Sequence, residues 1–191
     1  MGLTQKLLDR FSLFELIIIA MMAALGIAIK PVVVPLAHII TGPLLIPSGA
    51  VAGGFYMMWL VLGFGLTGKR GTATLIAIVQ ALVVTATGMV GSHGAISLLT
   101  YTVPGLMADL GLMLVGHRVC CLPCSFLAGM LANMGGTVMV NFVYFRLPLI
   151  PLVLALSAAA LSGGLGGIIA FQIRQHLLKF GNNPLPGSPG M

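Results

Sequence analysis

Acidic residues are almost missing from this chain: Asp9, Glu15 and Asp109 are the only three in 191 residues, and charged residues of all types make up 6%. Soluble domains carry about a quarter charged residues, so a water-facing surface cannot be built from this composition. The same scarcity excludes paired-carboxylate catalysis. There is no phosphate-cradling glycine loop, no Gly-x-Ser-x-Gly elbow and no His-Glu-x-x-His pair, so an enzyme would have to work with almost no titratable groups. Cysteine is scarce too, and Cys120, Cys121 and Cys124 stand too close together to form a disulfide framework. With His117 they place four soft-metal ligands in a short stretch, but no second ligand cluster accompanies them, and cysteine is a common small apolar residue of membrane helices. No metal and no cofactor is expected, and the thiols suit a reducing cytoplasmic face. Nine Lys and Arg give a net charge of +6. They stand singly or in pairs at the ends of apolar runs, without a basic stripe or interleaved aromatics, which argues against nucleic acid as a partner.

Apolar residues are abundant: 59% of the chain is hydrophobic and the mean hydropathy is +1.13. A bilayer crossing takes about 20 residues. Runs bounded by Gly, Pro or charge predict spans near 12–34, 48–67, 72–90, 96–116, 121–145 and 149–173. The expected fold is all-α, a polytopic membrane protein with a compact bundle of six transmembrane helices, in a single domain over residues 1–180. The Pro- and Gly-rich tail at 181–191 has nothing to bury and is expected to be disordered. Lys6 and Arg10 precede the first run as in a signal peptide, but the run continues past Ile29 with no small-residue cleavage site, so it is read as a retained helix. Six spans put both ends on one side. With the N-terminus inside, Lys6, Arg10, Lys69, Arg70, Arg118, Arg174 and Lys179 are cytoplasmic, and only Lys30 and Arg146 lie outside. That asymmetry predicts a plasma-membrane protein with cytoplasmic N- and C-termini.

Polar residues at hydrocarbon depth are costly unless paired, and are therefore functional suspects. Asn133, Thr137 and Asn141 recur every fourth residue in the fifth span and Tyr144 follows, so one helix face carries a polar stripe. The stripe is either interhelix glue or a ligand-facing wall. In the fourth span Pro104 lacks an N–H and frees the carbonyl of Thr100 beside Tyr101, roughly level with Asn141 and Tyr144 at about 1.5 Å rise per residue. The stretch between spans one and two is apolar but contains Pro31, Pro35, Pro43 and Pro47, so it can hardly be one continuous helix. It is either a lid over an outward pocket or an interfacial loop without function. His38, in that stretch, and His93, in the 91–94 turn, complete a substrate-binding set of His38, His93, Thr100, Tyr101, Thr137, Asn141 and Tyr144 in the outer half of the membrane. Asp109 lies deeper, either paired with Gln80 or a basic residue at the inner rim, or serving a cationic ligand or a proton. Ala20, Ala24 and Ala28 form a small-residue face on the first helix, and Ala73, Ala77 and Ala81, and Gly163 with Gly167, repeat the pattern. Such a face packs inside its own bundle or docks another subunit.

Over residues 12–175, the six short spans, the A-x-x-x-A pattern at Ala20, Ala24 and Ala28 and the apolar first outer loop resemble the substrate-capture (S) components of energy-coupling-factor (ECF) vitamin transporters. The stretches GGFYMMWLVLGFGLTGKRGTATLIAIVQALV and GAISLLTYTVPGLMADLGLML look most like the S components for thiamine and its hydroxymethylpyrimidine precursor. The resemblance implies that the chain binds a vitamin-like small molecule from outside, while a membrane coupling subunit and two ATPase subunits drive its release inward. It also implies that Ala20, Ala24 and Ala28 face the coupling subunit, and that spans four to six hold the substrate under the first loop. The chain departs from thiamine binders in lacking acids near the pocket, where a thiazolium cation would be well served by carboxylates or an aromatic cage. A neutral pyrimidine precursor or another vitamin is therefore open. The rival readings are a stand-alone channel or proton-coupled carrier using Asp109 and Gln80, and a purely structural membrane subunit.

The charge asymmetry is checked by labelling. In a background lacking Cys120, Cys121 and Cys124, single cysteines near Pro43 and His93 should react with an impermeant thiol reagent on intact cells, and one at Gly68 should not. The reverse pattern would invert the topology.

Overall fold

The computed structural model describes residues 11–44, 46–88, 94–116 and 119–182. Helix α1 (Leu13–Ala28) is followed by α2 (Lys30–Thr41), α3 (Ser48–Thr67), α4 (Thr72–Thr87), α5 (Ser97–Leu114), α6 (Leu122–Val140) and α7 (Leu149–Asn182). Spans two to five start and stop within a few residues of the expected limits. α1 opens with a capping box, in which the Ser12 side chain accepts from the Glu15 N–H and the Glu15 carboxylate accepts from the Ser12 N–H at 2.7 Å. The His93 turn and the tail beyond Asn182 lie outside the described residues.

Two expectations need correction. The four-proline stretch is helical over much of its length: the first run breaks at Ile29 and a new helix starts at Lys30. Pro31 falls in the first turn, where a missing N–H has no intrahelical partner to lose, and Pro43 and Pro47 lie beyond the end of α2. Only Pro35 sits inside the helix. Gly42–Leu44 then form one 3-10 turn before α3. At the other end of the chain, α7 runs on to Asn182 instead of stopping near 173, because nothing breaks the helix through Arg174 and Lys179.

Among the described residues, five apolar stretches are long enough to cross a membrane, counting α1 and α2 together, and α4 is a shorter apolar helix. The outer surface matches. Leu13, Phe14, Ile39, Leu114, Phe142 and Leu149 are each at least 70% exposed, which water would penalise and lipid would not. The chain is a multi-pass membrane protein.

Polar contacts gather one end of the bundle. Lys69 Nζ meets the Glu15 carboxylate at 2.6 Å, and Arg174 Nε donates to the Gly65 carbonyl at 2.6 Å. Asp109 belongs to the same end. Its carboxylate accepts from the backbone N–H groups of Gly71 and Thr74 at 3.3 and 2.8 Å, and from the Thr74 hydroxyl at 2.6 Å. It thus caps α4, where the helix dipole and the free N–H groups favour an anion. The expected partners, Gln80 or a rim cation, are not the ones it takes.

Helices α3, α6 and α7 touch backbone to backbone. A methyl group at Gly129 would strike the Gly163 carbonyl, one at Gly163 the Gly129 carbonyl, and one at Gly54 the Ser162 carbonyl. Lipid tails are as apolar as Leu, so helices in a bilayer gain from such close approach and not from burying hydrophobic area. Gly163→Leu should therefore prevent a stable monodisperse protein in thermal-melt gel filtration. Gly42→Ala, where an added methyl meets nothing, should leave the melting temperature unchanged.

Candidate functional site

At the end opposite Glu15, Lys69 and Asp109, a cavity of about 200 Å³ opens among α2, α3, α5 and α6. That is far more space than one buried water needs. The start of α2 supplies one wall through Lys30 and Val34. The entry of α3 at 47–50 closes another side, and Tyr56 Oη donates to the Gly49 carbonyl at 2.8 Å to hold that entry in place. From α5 come Thr100, Tyr101 and Pro104, and from α6 come Asn133, Gly136, Thr137 and Val140. Gln80 of α4 reaches the floor, with its Nε2 3.5 Å from the Ala23 carbonyl of α1.

Lys30 is 8% exposed, with its ammonium 3.6 Å from the centroid of the Tyr101 ring and 4.6 Å from that of Tyr56. Two aromatic faces stabilise a cation through their quadrupoles. Among the described residues no acid lies against it. Thr100 Oγ1 is likewise buried in the cavity wall with no hydrogen-bond partner. Asn133 differs: its Nδ2 donates to the carbonyls of Ala50 and Ala159, both at 2.9 Å, so one amide ties α3, α6 and α7 together at the cavity floor.

Of the expected substrate-binding set, Thr100, Tyr101 and Thr137 meet in this cavity. His38 lies on an exposed position of α2 and is not part of the lining. Asn141 and Tyr144 are also elsewhere: Asn141 Oδ1 accepts from the Leu147 N–H at 2.9 Å beside a shallow recess, and Tyr144 is 43% exposed. The physical reason is a π-helical turn at Asn141–Phe145 that ends α6. Its wider turn shifts the four-residue stripe out of register, so Phe145 reaches the cavity in place of Asn141 and Tyr144. His93 lies outside the described residues. Sequence reasoning missed Lys30, Tyr56 and Phe145. A lone lysine just before Pro31 in an apolar run was read as an orientation charge, although its only neighbours are apolar and could not have solvated it.

At the opposite end, the thiols of Cys120, Cys121 and Cys124 approach within 2.8 to 3.7 Å of each other at the start of α6. The hydrogen bond from Cys124 holds the half-buried Cys121 thiol below its ordinary pKa.

The three alanines expected to couple subunits, Ala20, Ala24 and Ala28, are all exposed on α1. The two comparable faces are not: Ala73, Ala77 and Ala81 are 0 to 1% exposed, and Gly163 and Gly167 pack against Gly129 and Ser125.

Residues 14–135 match the model of the family described as the permease component of an ABC-type cobalt transport system. The chain belongs to that family. It is therefore a membrane transport component and not an enzyme. No curated protein matches this permease-family chain. A solved structure titled "Crystal structure of an S-component of ECF transporter" has the same fold, with a TM-score of 0.76 at 20% identity, over 90% of this chain and 88% of that one.

The two asparagines on α6 separate by their partners. Asn133→Leu removes two buried hydrogen bonds and should lower stability by about 2–3 kcal/mol, read as the shift in denaturant midpoint of the ligand-free protein. Asn141→Leu, which releases one half-buried loop contact, should cost less than half as much.

Proposed function

We propose that this permease-family protein is the substrate-capture subunit of an ATP-driven ECF importer, binding a vitamin or vitamin precursor from outside and releasing it inward with partner subunits. The thiamine and hydroxymethylpyrimidine class is the first to test, from the resemblance of residues 53–83 and 94–114. The partners are a membrane coupling subunit and two ATPase subunits, and both termini are cytoplasmic, with the cavity on the outer side.

The alanine face of α1 carries this reading. Of the three small-residue faces singled out in the sequence, two are consumed by the chain's own helices. The third, Ala20, Ala24 and Ala28, is left bare beside Ile17, Met21 and Leu25, where another helix can approach closely. A self-sufficient carrier has no need of such a face. The carrier reading also loses its proton site, because Asp109 is committed to the N-terminus of α4. Cobalt as the transported substrate has no support from the cavity either: among its described lining residues there is no His, Cys, Asp or Glu to hold a divalent ion.

The experiment is substitution of the bare face against a buried one. Ala24→Trp should abolish co-purification with the coupling subunit and ATP-dependent uptake in vesicles, while ligand affinity changes less than about twofold. Ala77→Trp should destroy the folded protein outright. Retained assembly in Ala24→Trp would remove the docking role of α1.

A further inference from the structure

Lys30 and Thr100 are the two polar groups of the cavity whose own structure leaves them wanting a partner. An ammonium taken out of water costs several kcal/mol unless it is paired, and the tyrosine faces of Tyr56 and Tyr101 return only part of that. A buried hydroxyl with no partner is costly in the same way. Neighbouring polar side chains are partnered: Asp109 caps α4, Asn133 bridges two carbonyls, and Ser162 joins the Gly54 N–H to the Val51 carbonyl. Thr41 and Trp59 are buried without a partner too, but neither lines the cavity. Such unmet groups in a chamber are understandable where a third group arrives to meet them.

The chemistry of that third group follows. Lys30 can only donate, with three N–H bonds and no acceptor, and Thr100 can donate through its hydroxyl. Lys30 therefore asks for an acceptor, and the Thr100 hydroxyl, which can also accept, is able to donate to the same group. A cation in the same chamber would face the ammonium with no carboxylate among the described lining residues to offset the repulsion. We infer that Lys30, seconded by Thr100, selects a ligand that presents a hydrogen-bond acceptor, neutral or anionic, and rejects cations. This rests on the proposed reading of the cavity as the substrate site and narrows it: within the pyrimidine class it favours the neutral hydroxymethylpyrimidine over cationic thiamine. Lys30 is thus a specificity residue, and the tyrosines beneath it hold its charge in place.

The test uses the full-length protein in detergent, as wild type, Lys30→Met and Thr100→Val, with hydroxymethylpyrimidine and thiamine as separate probes in calorimetric titration. Methionine keeps the length of lysine and removes the charge. Lys30→Met should weaken hydroxymethylpyrimidine binding about tenfold to hundredfold. Thiamine binding should stay the same or tighten, and the melting temperature of the empty protein should hold or rise because an unpaired charge is gone. Thr100→Val should weaken hydroxymethylpyrimidine in the same direction by a smaller factor. Parallel weakening of both probes, or a lower melting temperature of the empty Lys30→Met protein, would mean that Lys30 only supports the two tyrosines, and would overturn the inference. If neither probe binds the wild type, the pyrimidine reading fails and the melt still decides: a fall overturns the role of Lys30, and a hold or rise upholds it for an acceptor of another kind.

Discussion

The contact on which the rest of this structure depends is the crossing of α3, α6 and α7, where Gly54, Gly129, Gly163 and Gly167 let backbones meet and Asn133 reaches from α6 to a carbonyl on each neighbour. In a bilayer, apolar side chains gain little by leaving lipid for protein, so packing at van der Waals distance and a few interhelix hydrogen bonds must supply the association energy. Glycine permits the first and the asparagine supplies the second. Any side chain at these positions would force the helices apart and leave the Asn133 amide unpaired in hydrocarbon, so the two devices fail together.

That crossing also shapes the cavity. Because α6 is held tightly against α3 and α7 at Asn133, the space above it is walled by Gly136 and Thr137 on one side and by Thr100 and Pro104 of α5 on the other. The remaining wall is α2, through Lys30 and Val34. Lys30, the first residue of α2, lies across Tyr56 and Tyr101. One end of the bundle is thus closed by conventional means, the Glu15–Lys69 pair and the Asp109 cap, and the other carries polar groups that await a ligand.

The low dielectric gives this sorting its force. A polar group in water need have no reason, but one inside a membrane bundle is matched or is costly. Asp109 could have been a proton or cation site by composition alone, and its three hydrogen-bond donors make it architectural. The same test applied to small residues separates internal packing at Ala77 from an outward face at Ala24, though the two stretches look alike in the sequence.

How much could be read before any coordinates follows from which forces are local. Helix existence and length depend on runs of apolar residues and on where Gly and Pro interrupt them, and these are written along the chain. Hence the six spans and the start and end of α3 were legible. The polar stripe from Asn133 to Thr137 was legible too, since a helix repeats every 3.6 residues. What lay beyond it was not. The π turn at Asn141–Phe145 shifts register by an amount no local pattern announces, and so Asn141 and Tyr144 left the expected site. Pro31 marked a helix start where a break was expected, because a proline in a first turn and a proline that ends a helix look the same in sequence. The sequence by itself determined a multi-pass helical protein with a nearly charge-free interior and several small-residue faces. Only the tertiary structure decided which face stays bare, which polar groups are satisfied and which end holds the cavity, because each of these depends on neighbours dozens of residues apart whose meeting is set by packing and not by period.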